Sequence, residues 1–175
     1  MINFLYRLLL TFNATSLILV IFLIKERYYI CYLENLPHFI SYVIYFLIPI
    51  ISTLISLLIS KCLSKDNFKV GSIIELEQAN NSFLPSYLGY FFVALSVPYT
   101  ETLLFVFGIL FVFTFLSQTL YFNPLFLIFG YQFYYMTTSN NIKIFIITKK
   151  TLKNPKNIEF KELRRINNFT FIDKT

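Results

Sequence analysis

Uncharged runs long enough to cross a lipid bilayer alternate with short polar stretches along most of this 175-residue chain. The first run, residues 8–24, lies between Arg7 and Lys25, and the second is Phe39–Ser60. The third lies between Glu77 and Glu101, and the fourth starts at Thr102 and runs to about Phe122. A hydrocarbon core of about 30 Å needs about 20 helical residues. The pattern therefore predicts helices over about 4–24, 39–60, 82–97 and 102–122. The third is the least regular. Its 23 uncharged residues, 78–100, open on Asn80, Asn81 and Ser82, carry Pro85 and close on Pro98, so the apolar part is 83–97 alone. Such a segment either crosses or dips in and returns with the fourth. Pro49 should kink or loosen the second helix. Asn123-Pro124 should end the fourth, because a residue before proline is pushed away from the helical region.

Small residues recur on two of these helices. Ser52, Ser56 and Ser60 stand at strict four-residue spacing in the second, which predicts a helix–helix seam within the protomer or between protomers. The competing reading is serines that bond carbonyls of their own helix. In the third, Ser82, Ser86, Gly89, Val93 and Ser96 share a face, opposite Leu84, Leu88, Phe91, Phe92 and Leu95. Small side chains let backbones approach closely in lipid, so Ser86 and Gly89 are candidates for a close contact. In the first helix, Arg7, Thr11, Ala14 and Thr15 share a face, and Arg7 should snorkel to the interface. Tyr28, Tyr29 and Tyr32 suit the headgroup belt.

Beyond residue 123 the pattern changes. Ile142–Thr148 (IKIFIIT) is strand-like, 125–138 is aromatic and β-branched enough to pair with it, and Ser139-Asn140-Asn141 supplies the turn. Alternatively, 125–136 lies in the membrane interface. A second turn is expected at 153–157, one helical turn at Phe160–Arg165 and a last strand at 168–172. Residues 61–77 read as a polar connection. The fold expected is an all-α integral membrane protein: a four-helix transmembrane bundle, residues 1–122, with a small β-rich cytoplasmic C-terminal module, residues 123–175.

Composition agrees. Hydrophobic residues make up 57% of the chain, charged residues 14%, and the mean hydropathy is +0.65. A soluble domain carries about 25% charged residues. Leu23 and Ile24 run into Lys25-Glu26-Arg27 with no small-residue cleavage site, so the first run reads as an uncleaved span rather than a signal peptide. With four crossings, thirteen basic residues fall on the side of the amino end, residues 61–77 and the tail, against Lys25 and Arg27 on the other. That asymmetry places both termini in the cytoplasm. The net charge is +6, concentrated in the tail, where Lys149-Lys150 and Arg164-Arg165 form basic pairs. They suit anionic lipid headgroups, or an acidic patch on a cytosolic protein partner. Direct nucleic-acid binding is not expected, since the tail carries no recognition motif.

Catalytic chemistry is not legible. The single histidine, His38, falls at the outer boundary of the second span, and Cys31 and Cys62 fall on opposite sides of the membrane. No phosphate loop, zinc pattern, dinucleotide fold or nucleophile elbow is present. Neither an enzyme nor a cofactor is expected, and Glu101 stands alone in an outer turn.

The four spans, the stretch NNSFLPSYLGYFFVALS and the tail phrases NPLFLIFGYQFYY, TLKNP and ELRRINNFTFID resemble the KwaA family, the membrane subunit of the bacterial Kiwa anti-phage system. The resemblance implies a multi-pass protein of the bacterial plasma (inner) membrane. It further implies self-assembly, phage sensing at the membrane and a cytosolic DNA-binding partner of the KwaB type. Two functions follow as expectations: a self-assembling sensor and scaffold whose tail docks a cytosolic effector, or a small oligomeric channel or permeabilising protein.

Overall fold

A computed structural model describes residues 2–31, 37–117 and 123–174. Its elements are α1 (Ile2–Lys25), α2 (Phe39–Ile59), β1 (Lys65–Phe68), β2 (Ile73–Gln78), α3 (Leu84–Ser96) and α4 (Thr100–Ser117). There follow α5 (Leu125–Ile128), β3 (Gln132–Thr138), β4 (Lys143–Thr148), β5 (Phe160–Arg165) and β6 (Thr170–Asp173). Tyr32 and the last five residues expected of the fourth span, 118–122, lie outside the described residues.

Helix α1 is the centre of the bundle, packed by α2, α3 and α4. Helices α1, α2 and α4 are long and apolar enough to cross a membrane. Helix α3 is not. Its 13 residues rise about 20 Å, short of a 30 Å core. The third expected helix, 82–97, is therefore a short one beside three long ones. The residues flanking the short helix are tied at both sides. Before it, Asn80 accepts from the Phe133 backbone N–H at 2.8 Å; after it, the Val97 carbonyl accepts from Lys25 at the far end of α1. Pro49 does not break α2, which is continuous from Phe39 to Ile59.

The β structure is larger than the expected tail module. Six strands form one sheet in the order β1-β5-β6-β4-β3-β2, antiparallel except for β4–β6. Its two edge strands come from the connection between α2 and α3, which reads in the sequence as a polar loop. Flat, six strands at about 4.8 Å would hold those edges about 24 Å apart. Phe68 and Ile73, five residues apart, reach at most about 18 Å. The sheet must curl. Its concave core draws on every strand: Phe68, Ile73, Leu76, Tyr134, Met136, Ile144, Ile146, Phe160, Leu163 and Phe171.

Phe160–Arg165 is a strand, not a helical turn. Phe160 and Leu163 are three apart, a helical spacing, yet both face the concave core. The pairing shows how: Asp66 faces Leu163 and Phe68 faces Phe160, so β5 holds one extra residue against β1. A bulge of this kind lets positions i and i+3 share a face. The same holds at the other edge, where Ile73 and Leu76 face inward across a bulge against β3.

The convex face is apolar too. Phe133, Phe145, Ile147 and Ile172 pack on Tyr6 and Leu10 of α1, Leu57 of α2 and Phe126 of α5 in one core. Buried on both faces, β4 reads as a nearly unbroken apolar run. The hairpin turn at Ser139–Asn141 is present, with Asn141 at φ 58°, a left-handed position asparagine tolerates.

Candidate functional site

Among the described residues no group of three or more His, Cys, Asp or Glu side chains could hold a metal ion, and the candidate sites are the contacts between helices and the joint between helices and sheet. Within the bundle, α1 buries Thr11, Asn13, Thr15 and Ser16. Thr11, Thr15 and Ser16 bond carbonyls of their own helix. Asn13 reaches across: Ser52 Oγ donates to its Oδ1 at 2.6 Å, and its Nδ2 donates to the Ser52 carbonyl at 3.3 Å. One residue along α2, Thr53 Oγ1 accepts from Asn123 Nδ2 at 2.8 Å. The Asn123 Oδ1 in turn accepts the Leu125 backbone N–H and starts α5. Adjacent residues of α2 are thus clamped by two carboxamides, each satisfied as an apolar surrounding requires.

Ser56 and Ser60 are fully buried and donate to Thr53 O and Leu57 O, both at 2.7 Å. The serine face of α2 is thus turned inward, with Ser52 bonded to α1. Ser86 and Gly89 are exposed, and a Cβ at Gly89 would meet nothing within 4 Å. Within the protomer they make no close helix contact. The buried side of α3 is a third one, carrying Tyr87 and Ala94 with Tyr90 partly covered. Tyr87 donates to the Ala14 carbonyl at 2.9 Å, and Tyr90 pairs with Thr114 of α4 at 3.4 Å. The signal was present in the sequence. A tyrosine within an apolar helix needs a partner for its hydroxyl, which sets its direction more firmly than small-residue spacing does. Arg7 is tied to the last turn of α4. Its guanidinium donates to the Phe115 carbonyl at 3.3 Å and sits 4.9 Å from that ring's centre.

At the joint, the two basic pairs behave differently. Arg165 binds Asp66 of β1 through Nε and Nη2, at 3.1 and 2.6 Å. Arg164 donates to the Leu63 carbonyl at 2.9 Å. Both tie β5 to the segment leaving α2. Lys149 lies 5.1 Å from the centre of the Tyr131 ring, and Lys150 is 3.6 Å from Asp173. Asp173 is buried and accepts from Thr148 Oγ1 at 2.7 Å. Lys174 donates to the Leu57 carbonyl in the last turn of α2, at 2.8 Å. Burial, then the neighbouring Lys61, Lys149 and Arg164, pulls its ammonium pKa down to about 8. Asp173 and Lys174 had no sequence signal, because an acid and a base at a strand's end look like ordinary surface residues. At the opposite end, Cys31 and His38 stand apart from Cys62, and His38 stacks on Tyr29 at 3.9 Å.

Three helices long and apolar enough to cross a membrane, a short fourth and a six-stranded sheet sharing their core define the class of this protein. The family model described as anti-phage protein KwaA matches residues 6–172. The chain belongs to that family, and its setting is anti-phage defence within a multi-component system. No curated protein and no solved structure matches.

Proposed function

We propose that this chain is a non-enzymatic membrane scaffold and sensor that self-assembles and presents its sheet to a cytosolic effector. One observation carries the reading: helices and sheet share a single core, Tyr6 and Leu10 with Phe133, Phe145 and Ile147. A displacement of α1 cannot occur without moving β3 and β4, because close-packed interiors transmit strain. The channel alternative draws no support from α1, whose Thr11, Asn13, Thr15 and Ser16 are engaged within the chain rather than turned to a lumen.

The docking surface in this reading consists of exposed lysines rather than the arginine pair. Lys153, Lys156 and Lys161 are exposed, whereas Arg164 and Arg165 serve the sheet itself. Charge reversal at all three lysines should abolish co-purification of the system's cytosolic component while insertion is unchanged. The double variant Arg164→Lys, Arg165→Lys should keep it. Retention of the partner by the charge-reversed protein would sink the docking surface, and ion or dye leakage from liposomes holding the purified chain would favour a channel.

A further inference from the structure

A groove of about 340 Å³ opens between the amino end of α1 and the carboxyl end of α2, lined by Leu5, Tyr6, Leu9, Ile59 and Cys62. Its walls are apolar, and Leu5 and Ile59 are among the exposed side chains. At one end it meets cations. Lys61 stands between the lining residues Ile59 and Cys62. Tyr6 belongs to the same packed cluster as Tyr131, whose ring lies under Lys149 at 5.1 Å and Lys174 at 5.8 Å. Arg164 adds a fourth positive charge beside Lys174 and holds its Nε buried with no partner among the described residues. The acid in this cluster, Asp173, is already engaged by Lys150 and Thr148.

This is an unusual place for like charges to gather. Lys61 arrives from the end of α2, Lys149 from the end of β4, Arg164 from β5 and Lys174 from the end of β6. Four elements converge on one spot, with Lys149 and Lys174 over the same Tyr131 ring; burial first, and the neighbouring cations after it, lower the affinity of Lys174 for its proton. An anion would offset their charge. The adjoining groove specifies which anion, because a soluble phosphate has no use for an apolar slot beside it. A phospholipid supplies both parts, a charged headgroup at the interface and a chain beside the helices.

We propose that the joint between helices and sheet is a binding site for an anionic phospholipid, with its phosphate among Lys61, Lys149 and Lys174 and one acyl chain in the groove between α1 and α2. The site rests on α1 and α2 being membrane spans. A lipid so placed would touch α1, α2 and the sheet at once, and would act as a removable part of their shared joint.

The test uses the full chain, purified and placed in phosphatidylcholine nanodiscs with increasing phosphatidylglycerol. Bound lipid is counted by native mass spectrometry after release, and insertion is checked separately by resistance to alkaline extraction. Phosphatidylglycerol should be retained selectively. The triple variant Lys61→Gln, Lys149→Gln, Lys174→Gln should weaken that retention at least tenfold. The control Lys153→Gln, Lys156→Gln, Lys161→Gln removes equal charge elsewhere and should leave it intact. Cys62→Trp, which fills the groove and keeps every cation, should also reduce retention, and it serves if the triple variant fails to fold. Equal loss in both triple variants would mean diffuse charge attraction and overturn the site. So would full competition by glycerol phosphate, which would indicate a soluble anion. Normal retention by Cys62→Trp would remove the groove. Loss of alkaline resistance in the unaltered protein would instead strike the membrane reading beneath it.

Discussion

Helices α1 and α4 are about equally apolar, yet more than half of α1 is buried inside the protein and little of α4 is. Apolarity does not explain the difference. In lipid no hydrophobic gain comes from covering one leucine with another. What differs is polar content: α1 buries Thr11, Asn13, Thr15 and Ser16, while the buried residues of α4 are Leu103 and Thr114. The helix with the larger buried polar content, including Asn13 bonded to α2, takes the centre, and the helix with less is left outside.

Ile18 of α1 is fully buried and Phe105 of α4 is 73% exposed, which gives the sharpest test. Ile18→Ala should destabilise the purified protein by about 2–5 kcal/mol. Phe105→Ala should change thermal unfolding in detergent little. Equal effects would mean that copies cover α4 in the assembled protein. Next in size is the pair of small positions. Ser56→Leu adds bulk at a buried site and should cost about 1–3 kcal/mol. Gly89→Leu should leave the protomer's stability intact. A changed oligomer size for Gly89→Leu, measured by light scattering, would assign the outer face of α3 to self-assembly.

Asn13→Leu should be smaller, about 1–2 kcal/mol, because Ser52 can turn back to a carbonyl of its own helix. No loss at all would show that the carboxamide clamp does not hold α1 in the centre. The smallest effect lies at the joint. Lys174 has its pKa lowered in the folded protein by burial and by Lys61, Lys149 and Arg164, with Asp173 opposing. The unfolded chain therefore binds more protons between about pH 8 and the ordinary lysine value. Stability should rise with pH across that window and show no such gain below it. Lys174→Gln should flatten the slope, as measured by unfolding at pH 7.5, 8.5 and 9.5.

The long helices, the β3–β4 hairpin and the last strand were legible because each repeats one signal over enough residues. Strands β2 and β5 were not. Ile73 and Leu76, and Phe160 and Leu163, stand three apart because a bulge shifts each strand, and three is a helical spacing. The sequence FKELRR adds helix-forming residues to that false period. At the candidate sites, Ser52 bonds α1 while Ser56 and Ser60 bond carbonyls of α2 itself. Ser86 and Gly89 are exposed within the protomer, with the hydroxyls of Tyr87 and Tyr90 turned to α1 and α4. The basic pairs showed the charge at the joint but not its partners. Asp66 and Leu63, which hold Arg165 and Arg164, lie about a hundred residues earlier.

Both edges of the sheet are made before α3, and the strands between them come after α4. During synthesis, β1 and β2 leave the ribosome with their partners unmade. Residues 65–78 precede their β3 and β5 partners in the chain, with helices α3 and α4 between. β3 gives β2 its neighbour, but β1 has none until β5 emerges. A chain halted before residue 160 therefore holds β1 with no neighbour, and a finished chain has it paired with β5. The order of strands makes the sheet a register of completed translation.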